Sequence, residues 1–255
     1  MKICSWNIRG GGSSRRRELV RTVIRKENPD IFVVLETKKM MVDRRFVASL
    51  WKSRFVDWVT LPAEGRSGGI LVMWDPRVIL VTENLIGDFS VSIEIKWKDE
   101  FKWWFTAVYG PCKPRQRDFF WDELAGLHSI CGERWCIGGD FNVVRNLNEK
   151  MNSNSLTPSM YCFDNLIQEL ELYDPPLLNA KFTWSNFRIN PICCRLDRFF
   201  VTRGWMDIFP SFRHTVLPRI TSDHNPILLD TARLRWGPTP FRFENAWLLH
   251  HKLKE

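Results

Sequence analysis

The chain has 255 residues, 44% hydrophobic and 26% charged, which suits one sizeable core and excludes a largely disordered chain. Its 37 Lys and Arg outnumber 29 Asp and Glu, giving a formal net charge of +8. That excess favours a polyanionic partner, either nucleic acid or an anionic membrane surface.

In chain order, Met1–Asn7 reads as a short strand, without the long apolar run or cleavage site of a secretory signal. Ser13 or Ser14 can cap a helix on which Leu19, Val20, Val23 and Ile24 share a face. Its other face carries Arg15, Arg16, Arg17, Arg21, Arg25 and Lys26, which reads either as a solvated face or as a phosphate-facing ridge. Ile31–Leu35 is apolar throughout, as a strand buried on both faces would be. This run and Ile70–Trp74 are far too short to span a bilayer. Val42, Phe46 and Leu50 recur every four residues and predict a helix. Strands follow at Phe55–Leu61, Gly69–Trp74, Val78–Leu85, Phe89–Trp97 and Trp103–Tyr109. Helices are expected at Asp118–Ile130 and Ser159–Leu172. Further strands are expected at Trp135–Ile137, Phe182–Trp184, Arg195–Val201, His214–Leu217 and Ile227–Leu229. Clustered strands with helices between them imply sheets packed on each other and covered by helices. Residues 1–230 read as one domain and 231–255 as a tail, with Pro238, Pro240 and a short helix over Phe243–Leu253. Most of the 13 Trp must lie in or beside the core. The seven Cys show no CxxC pair or framework spacing, so buried, reduced thiols are expected rather than a zinc module.

Polar residues recur where apolar strands end. Asn7 closes the first strand, Glu36 the second, and Tyr109 a later one before Gly110-Pro111. Asp140 and Asn142 follow the Gly138-Gly139 pair, and Asp223-His224 precede the final strand. A single Asp or Asn in such a place usually serves turn geometry. Strands that end on one side of a sheet would gather these groups into one cluster. It would hold carboxylates (Glu36, Asp140, Asp223), amides (Asn7, Asn142), a phenol and an imidazole. Hard oxygen ligands with few His and no Cys suit Mg²⁺ or Mn²⁺. A magnesium-dependent phosphoester hydrolase needs this inventory: a cation on phosphoryl oxygens, a group that aligns water, and neutral donors for the transition state.

Five motifs occur in order: Ser5-Trp6-Asn7-Ile8-Arg9-Gly10, Leu35-Glu36-Thr37, Tyr109-Gly110-Pro111, Gly139-Asp140-Phe141-Asn142 and Ser222-Asp223-His224-Asn225-Pro226. They resemble the endonuclease/exonuclease/phosphatase superfamily of DNase I-like enzymes and apurinic endonucleases. The resemblance covers roughly residues 2–230. Within it, Phe182-Thr183-Trp184-Ser185-Asn186, Arg195-Leu196-Asp197-Arg198-Phe199 and Phe241–Trp247 look most like the endonuclease of plant LINE-type (non-LTR) retrotransposons and its link to a reverse transcriptase.

The resemblance implies a four-layered α/β sandwich: two packed, mainly antiparallel sheets flanked by helices, with the site at a loop-rich rim. It implies roles as well. Glu36 would be the main ligand of Mg²⁺, or Mn²⁺, with Asn7 and Asp223 completing the metal environment. Asp140 would orient or deprotonate water. Asn142, Tyr109 and Asn7 would hold the scissile phosphate. His224 would contact a phosphate oxygen or act as base, oriented by Asp197. Thr183 and Ser222 would contact DNA or support the site. The implied partner is double-stranded DNA, nicked to leave a 3′-hydroxyl for reverse transcription, with no membrane involved. A monomeric, nuclear protein is implied, and a reverse transcriptase in the parent element. Arg9 departs from the pattern, standing where apurinic endonucleases typically have an acidic residue, which weakens a repair assignment. The alternatives are an apurinic endonuclease, a lipid or inositol phosphatase, and an inactive remnant that only binds nucleic acid.

Overall fold

A computed structural model describes residues 1–65, 67–97, 101–152 and 155–232. The expected helix over Phe243–Leu253, with the rest of the tail from 233, lies outside these described residues. The strands are β1 (Lys2–Asn7), β2 (Ile31–Leu35), β3 (Asp57–Leu61), β4 (Ile70–Trp74), β5 (Leu80–Ile86), β6 (Ser90–Trp97), β7 (Phe101–Tyr109), β8 (Trp135–Asp140), β9 (Lys150–Met151), β10 (Trp184–Ser185), β11 (Cys193–Cys194), β12 (Asp197–Val201), β13 (Arg213–Val216) and β14 (Ile227–Asp230). The α-helices are α1 (Ser14–Glu27), α2 (Arg44–Leu50), α3 (Arg117–Cys131), α4 (Pro158–Glu169) and α5 (Arg203–Ile208).

A six-stranded sheet runs β13-β14-β1-β2-β4-β3 and a five-stranded sheet runs β12-β8-β7-β6-β5. Ile3, Val33 and Val72 of the first sheet meet Val91, Ile93, Phe105 and Phe199 of the second in a core between the sheets. The outer face of the first sheet (Cys4, Phe32, Val34) packs on Val20, Val23 and Val47 of α1 and α2. The outer face of the second (Val108, Trp135, Phe200) packs on Phe120, Leu124, Phe163 and Ile167 of α3 and α4. The result is the expected α/β sandwich, helices–sheet–sheet–helices. Trp6, Trp103, Trp135 and Trp205 are fully buried, in line with the expected use of tryptophan.

Both sheets are antiparallel except for one pair each, β1 with β2 and β7 with β8. A parallel pair needs a crossover, supplied here by α1 and α3, and it sends two strand ends to the same edge. Those ends carry Asn7 and, one residue on, Glu36 in the first sheet, and Tyr109 paired with Asp140 in the second. At the opposite end of β1, the Met1 amine donates to Thr231 Oγ1 (3.0 Å) and Thr231 N donates to Met1 O (2.8 Å).

Several expectations shift. β8 continues through Gly138-Gly139 to Asp140 rather than ending at Ile137. Gly139 makes this possible: at φ 149° a Cβ there would sit 2.1 Å from Val108 O. β12 begins at Asp197 rather than Arg195, because the Leu196 and Asp197 amides both donate to Thr183 Oγ1. The strand expected at Phe182–Trp184 is Trp184–Ser185. α4 ends at Glu169, short of Leu172. β9, β11 and α5 were not foreseen; they are two to six residues long and carry no readable period. Ser13 is the N-cap of α1, but its side chain makes no capping bond. Nor do the two readings of α1's basic face cover all of it. Arg16 donates to the carbonyls of Arg9 and Gly10, Arg17 to those of Gly11 and Gly12, and Arg21 to that of Ser49. All seven cysteines are free, but Cys112 and Cys162 are exposed, so the expectation of buried thiols holds only in part.

Candidate active site

The period of two along a strand decides which side chains reach the gap between the sheets. Asn7 is in phase with Ile3, Tyr109 with Phe105, Asp140 with Cys136, and Asp197 with Phe199, all residues of the inter-sheet core. Their polar side chains therefore continue that core layer to the rim, where the sheets diverge. Glu36 adopts a left-handed backbone (φ 51°), as do Arg9, Lys38 and Asn142 nearby. Such conformations are uncommon for residues with a Cβ and persist where the surroundings enforce them. Here Ile8 N donates to Leu35 O, and Thr37 N and Lys38 N donate to the Gly69 and Gly68 carbonyls, fixing the turn that carries Glu36.

These residues form a continuous network. Asn7 Nδ2 donates to Glu36 Oε1 (3.1 Å) and to Asp140 Oδ2 (2.9 Å), joining the two sheets through one buried amide. Asp140 Oδ1 accepts from Asn142 N (2.9 Å). His224 Nδ1 lies 2.9 Å from Asp197 Oδ2, and its Nε2 lies 3.7 Å from Asp140 Oδ2. Asp197 and Asp140 face each other across the β12–β8 register. Ser222 Oγ donates to Asn7 O (2.7 Å) and accepts from His224 N (3.2 Å), tying the 222–224 turn to the end of β1. Trp6 Nε1 donates to His224 O (3.1 Å) and Trp184 Nε1 to Asp223 Oδ2 (2.8 Å).

Burial opposes charge on His224, but Asp197 and Asp140 outweigh it and lift its pKa to about 9. The imidazole is thus a cation at neutral pH, with Nδ1 bonded to Asp197 and the Nε2 proton left available beside Asp140. Burial pushes the Asp140 carboxyl up, while His224 and the N–H groups of Asn7 and Asn142 favour its ionised form. Burial first and the nearby Glu36 carboxylate next push the Tyr109 phenol up, so it stays a protonated donor.

Every residue foreseen for the site except Thr183 and Asn142 is joined to this network or placed beside it through the side chain. Thr183 is buried, and its hydroxyl accepts the amides that start β12, so it supports Asp197 from behind. Asn142 directs Nδ2 to Gly110 O (2.7 Å), bracing the loop after Tyr109. Ser222 is buried as well, which fits a supporting role. Trp184 and Lys38 were missed. Trp184 stood within the FTWSN motif, where its indole N–H was the available signal. Lys38 had none.

The chain matches the family model described as "Endonuclease/Exonuclease/phosphatase family" over residues 4–224. It belongs to this family. The resemblance read from the five motifs is thereby upheld at family level, and with it a hydrolytic nuclease or phosphoesterase in coarse terms. No curated protein sequence matches the chain. Among solved structures, the endonuclease domain of TRAS1, a telomere-specific non-LTR retrotransposon, superposes with a TM-score of 0.70 at 15% identity, covering 92% of this chain and 99% of that one. A 3′-5′ exonuclease from Neisseria meningitidis gives 0.71 at 17% identity, covering 90% and 99%. An AP endonuclease from Archaeoglobus fulgidus gives 0.70 at 18%, covering 90% and 98%. At such identities the likeness establishes the fold. Among the described residues no helix is long and apolar enough to cross a membrane.

The donor set fits a hard divalent cation. Four carboxylates (Glu36, Asp140, Asp197, Asp223) converge with the Asn7 amide, and oxygen dominates. Ligand atoms of Asp140, Asp197 and His224 lie within 4.8 Å of one another. In that trio, however, His224 Nδ1 is already hydrogen-bonded to Asp197, whereas Glu36, outside it, accepts from Asn7 Nδ2 and has Oε2 3.4 Å from Lys38 Nζ.

Proposed function

We propose that this domain is a Mg²⁺- or Mn²⁺-dependent endonuclease that nicks double-stranded DNA and leaves a 3′-hydroxyl. The observation that carries the reading is the chain Glu36–Asn7–Asp140–His224–Asp197, which joins three carboxylates, an amide and an imidazole within one buried network. Glu36, with Asn7 and Asp223, would hold the cation, which when bound supplies electrostatic stabilisation of phosphoryl charge. Asp140, made more basic by burial, aligns the attacking water and takes its proton. His224 donates from Nε2 to a non-bridging phosphate oxygen, where negative charge grows in the transition state. Asp197 keeps it protonated and oriented. Tyr109 adds a neutral donor at the phosphate, and Asn142 braces the loop that follows Tyr109. Water bonds to phosphorus, the bond from phosphorus to the 3′-oxygen breaks, and that oxygen leaves as an alkoxide that takes a proton from solvent to become the 3′-hydroxyl, the phosphate staying on the 5′ side.

Such a 3′-hydroxyl can prime reverse transcription. The FTWSN and RLDRF segments and the Phe241–Trp247 sequence support descent from a plant LINE-type element, whose polyprotein would add a reverse transcriptase and act in the nucleus as a monomer. The test is plasmid relaxation with Mg²⁺. Wild type is expected to convert supercoiled to nicked circles, and Glu36→Ala, Asp140→Ala and His224→Ala to lose that conversion. Relaxation that survives all three changes would sink the site assignment. Cleavage confined to abasic sites would point to repair. Salt-sensitive DNA binding without relaxation would point to an inactive remnant.

A further inference from the structure

Arg9 stands directly on two of the carboxylates proposed above to hold the cation. Its Nη1 donates to Asp223 Oδ2 at 2.6 Å, and its Nε lies 4.0 Å from Glu36 Oε1. The backbone that presents it is pinned: φ is 51°, Arg9 N donates to Asn7 Oδ1 (3.1 Å), and Arg16 Nη1 donates to Arg9 O (2.6 Å). On the far side of Glu36, Lys38, also left-handed at φ 53°, brings Nζ to 3.4 Å from Oε2. The Arg9 side chain is 52% exposed, whereas those of Glu36 and Asp223 are about one-tenth exposed. A long cation on the rim therefore neutralises carboxylates set deeper in the site.

A guanidinium and a divalent cation compete for the same oxygens. The divalent ion has the higher charge density and suits carboxylate oxygens, but binding there must break a charge-assisted hydrogen bond and leave Arg9 without its partner. Because half of the Arg9 side chain already faces water, it can be released without leaving a buried, unpaired charge. Asp223 stays in place when this happens, since Trp184 Nε1 also donates to its Oδ2.

We infer that Arg9 is a built-in counter-cation that a divalent ion must displace from Asp223 and Glu36, and that it thereby sets the metal affinity of the DNA-free protein. This rests on the reading of Glu36 and Asp223 as metal ligands. Arg9 is here a positioning residue: it holds the two carboxylates at a fixed spacing and opposes loading until it is released. A DNA phosphate offers the released guanidinium a new partner, so cation and DNA favour each other's binding.

The experiment is calorimetric titration of Mn²⁺ into the DNA-free 255-residue protein, with no turnover involved. Wild type is compared with Arg9→Gln, Arg9→Lys and Glu36→Gln, each checked for cooperative thermal unfolding. Arg9→Gln is expected to bind Mn²⁺ roughly 5- to 150-fold more tightly than wild type, the range of ordinary coupling between sites. Arg9→Lys, which keeps the charge but loses the planar fork, is expected in between. Glu36→Gln is expected to lose binding. If Glu36→Gln loses binding while Arg9→Gln is no tighter than wild type, the role of Arg9 is overturned and the ligand assignment stands. If Glu36→Gln binds like wild type, the ligand assignment falls and the Arg9 inference with it.

Discussion

Asp197 and Arg198 are neighbours on β12, yet they belong to two buried charge clusters built in opposite ways. Alternation sends Asp197 to the inter-sheet face with Phe199, and Arg198 to the helix-covered face with Phe200. On the helix side, Arg198 is fully buried and donates to Glu149 Oε1 and Oε2, Asp174 Oδ2 and the Arg195 carbonyl. Arg195 pairs with Asp174, and Arg145 with Asp164 and Asp174. Three guanidinium groups meet three carboxylates, so charges cancel. At the rim, four carboxylates meet a single buried cation, His224, and the remaining neutralisation comes from the partly exposed Arg9 and Lys38. The two histidines buried among the described residues follow suit. His224, between carboxylates, is raised to about 9. Burial, then the positive charge of Arg195, lowers His214 to about 3. A balanced cluster fixes structure, whereas one left short of positive charge is open to a cation and a phosphate.

The sharpest way to separate the clusters is to remove one member of each. Asp140→Ala should lower nicking by roughly 10³-fold or more, within the range for a lost general base. Its melting temperature should hold or rise, because a buried carboxylate has gone; a gel-based nicking assay and calorimetric melting read the two effects. Arg198→Met should do the reverse. Leaving Glu149 and Asp174 uncompensated is expected to cost about 3–5 kcal/mol in urea unfolding, with near-normal nicking by the fraction still folded. Adding Glu149→Gln should recover part of that loss, and a strictly additive double variant would mean that the cluster does not act as a unit.

Two smaller effects test the histidines. Asp197→Asn removes the strongest support for a charged His224. In the proposed mechanism His224 acts in its protonated form, present below its pKa of about 9, so the alkaline limb of the pH–rate profile should move to lower pH. An unmoved limb would assign it to another group. His214 behaves oppositely. It is neutral in the folded state down to about pH 3, whereas in the unfolded chain it takes a proton below about pH 6.5. Stability should therefore fall as pH drops from about 6.5 toward 3, by about 1.4 kcal/mol per pH unit from this group. His214→Phe should flatten that slope, seen in urea midpoints between pH 6.5 and 5.

Much of the rim cluster was legible because its members sit at the ends of apolar runs, whereas Asp197, at the start of β12, came only with the motif resemblance. Asn7, Glu36, Tyr109 and Asp140 end or directly follow strands whose residues alternate or are wholly apolar, and one parallel pair per sheet is enough to gather them. The helix-side cluster was not legible. Arg145, Glu149, Asp164, Asp174 and Arg198 are spread over more than fifty positions, on a loop, a helix and a strand, and no spacing links them. Arg198 lies on the face of β12 that α4 covers, its guanidinium over the Phe163 ring, and nothing in its local sequence marks that burial. The two-residue strands β9 and β11 escaped notice because they pair only within the small sheet β10-β11-β9 and are too short to carry a period. Arg9 was noticed as a misfit in its motif, but its contact with Asp223, over 200 residues away, depends on β14 pairing beside β1.

That pairing of β14 with β1 has a mechanical consequence. Met1 and Thr231 bond to each other at the end of β1 farthest from Asn7, about 20 Å from the rim at 3.3 Å per strand residue. Met1 and Thr231 are thus moored to each other at one point, at the pole of the sheet opposite the rim that carries Asn7 and Glu36, so loosening that bond strains two strands at once and leaves the rim six strand residues away.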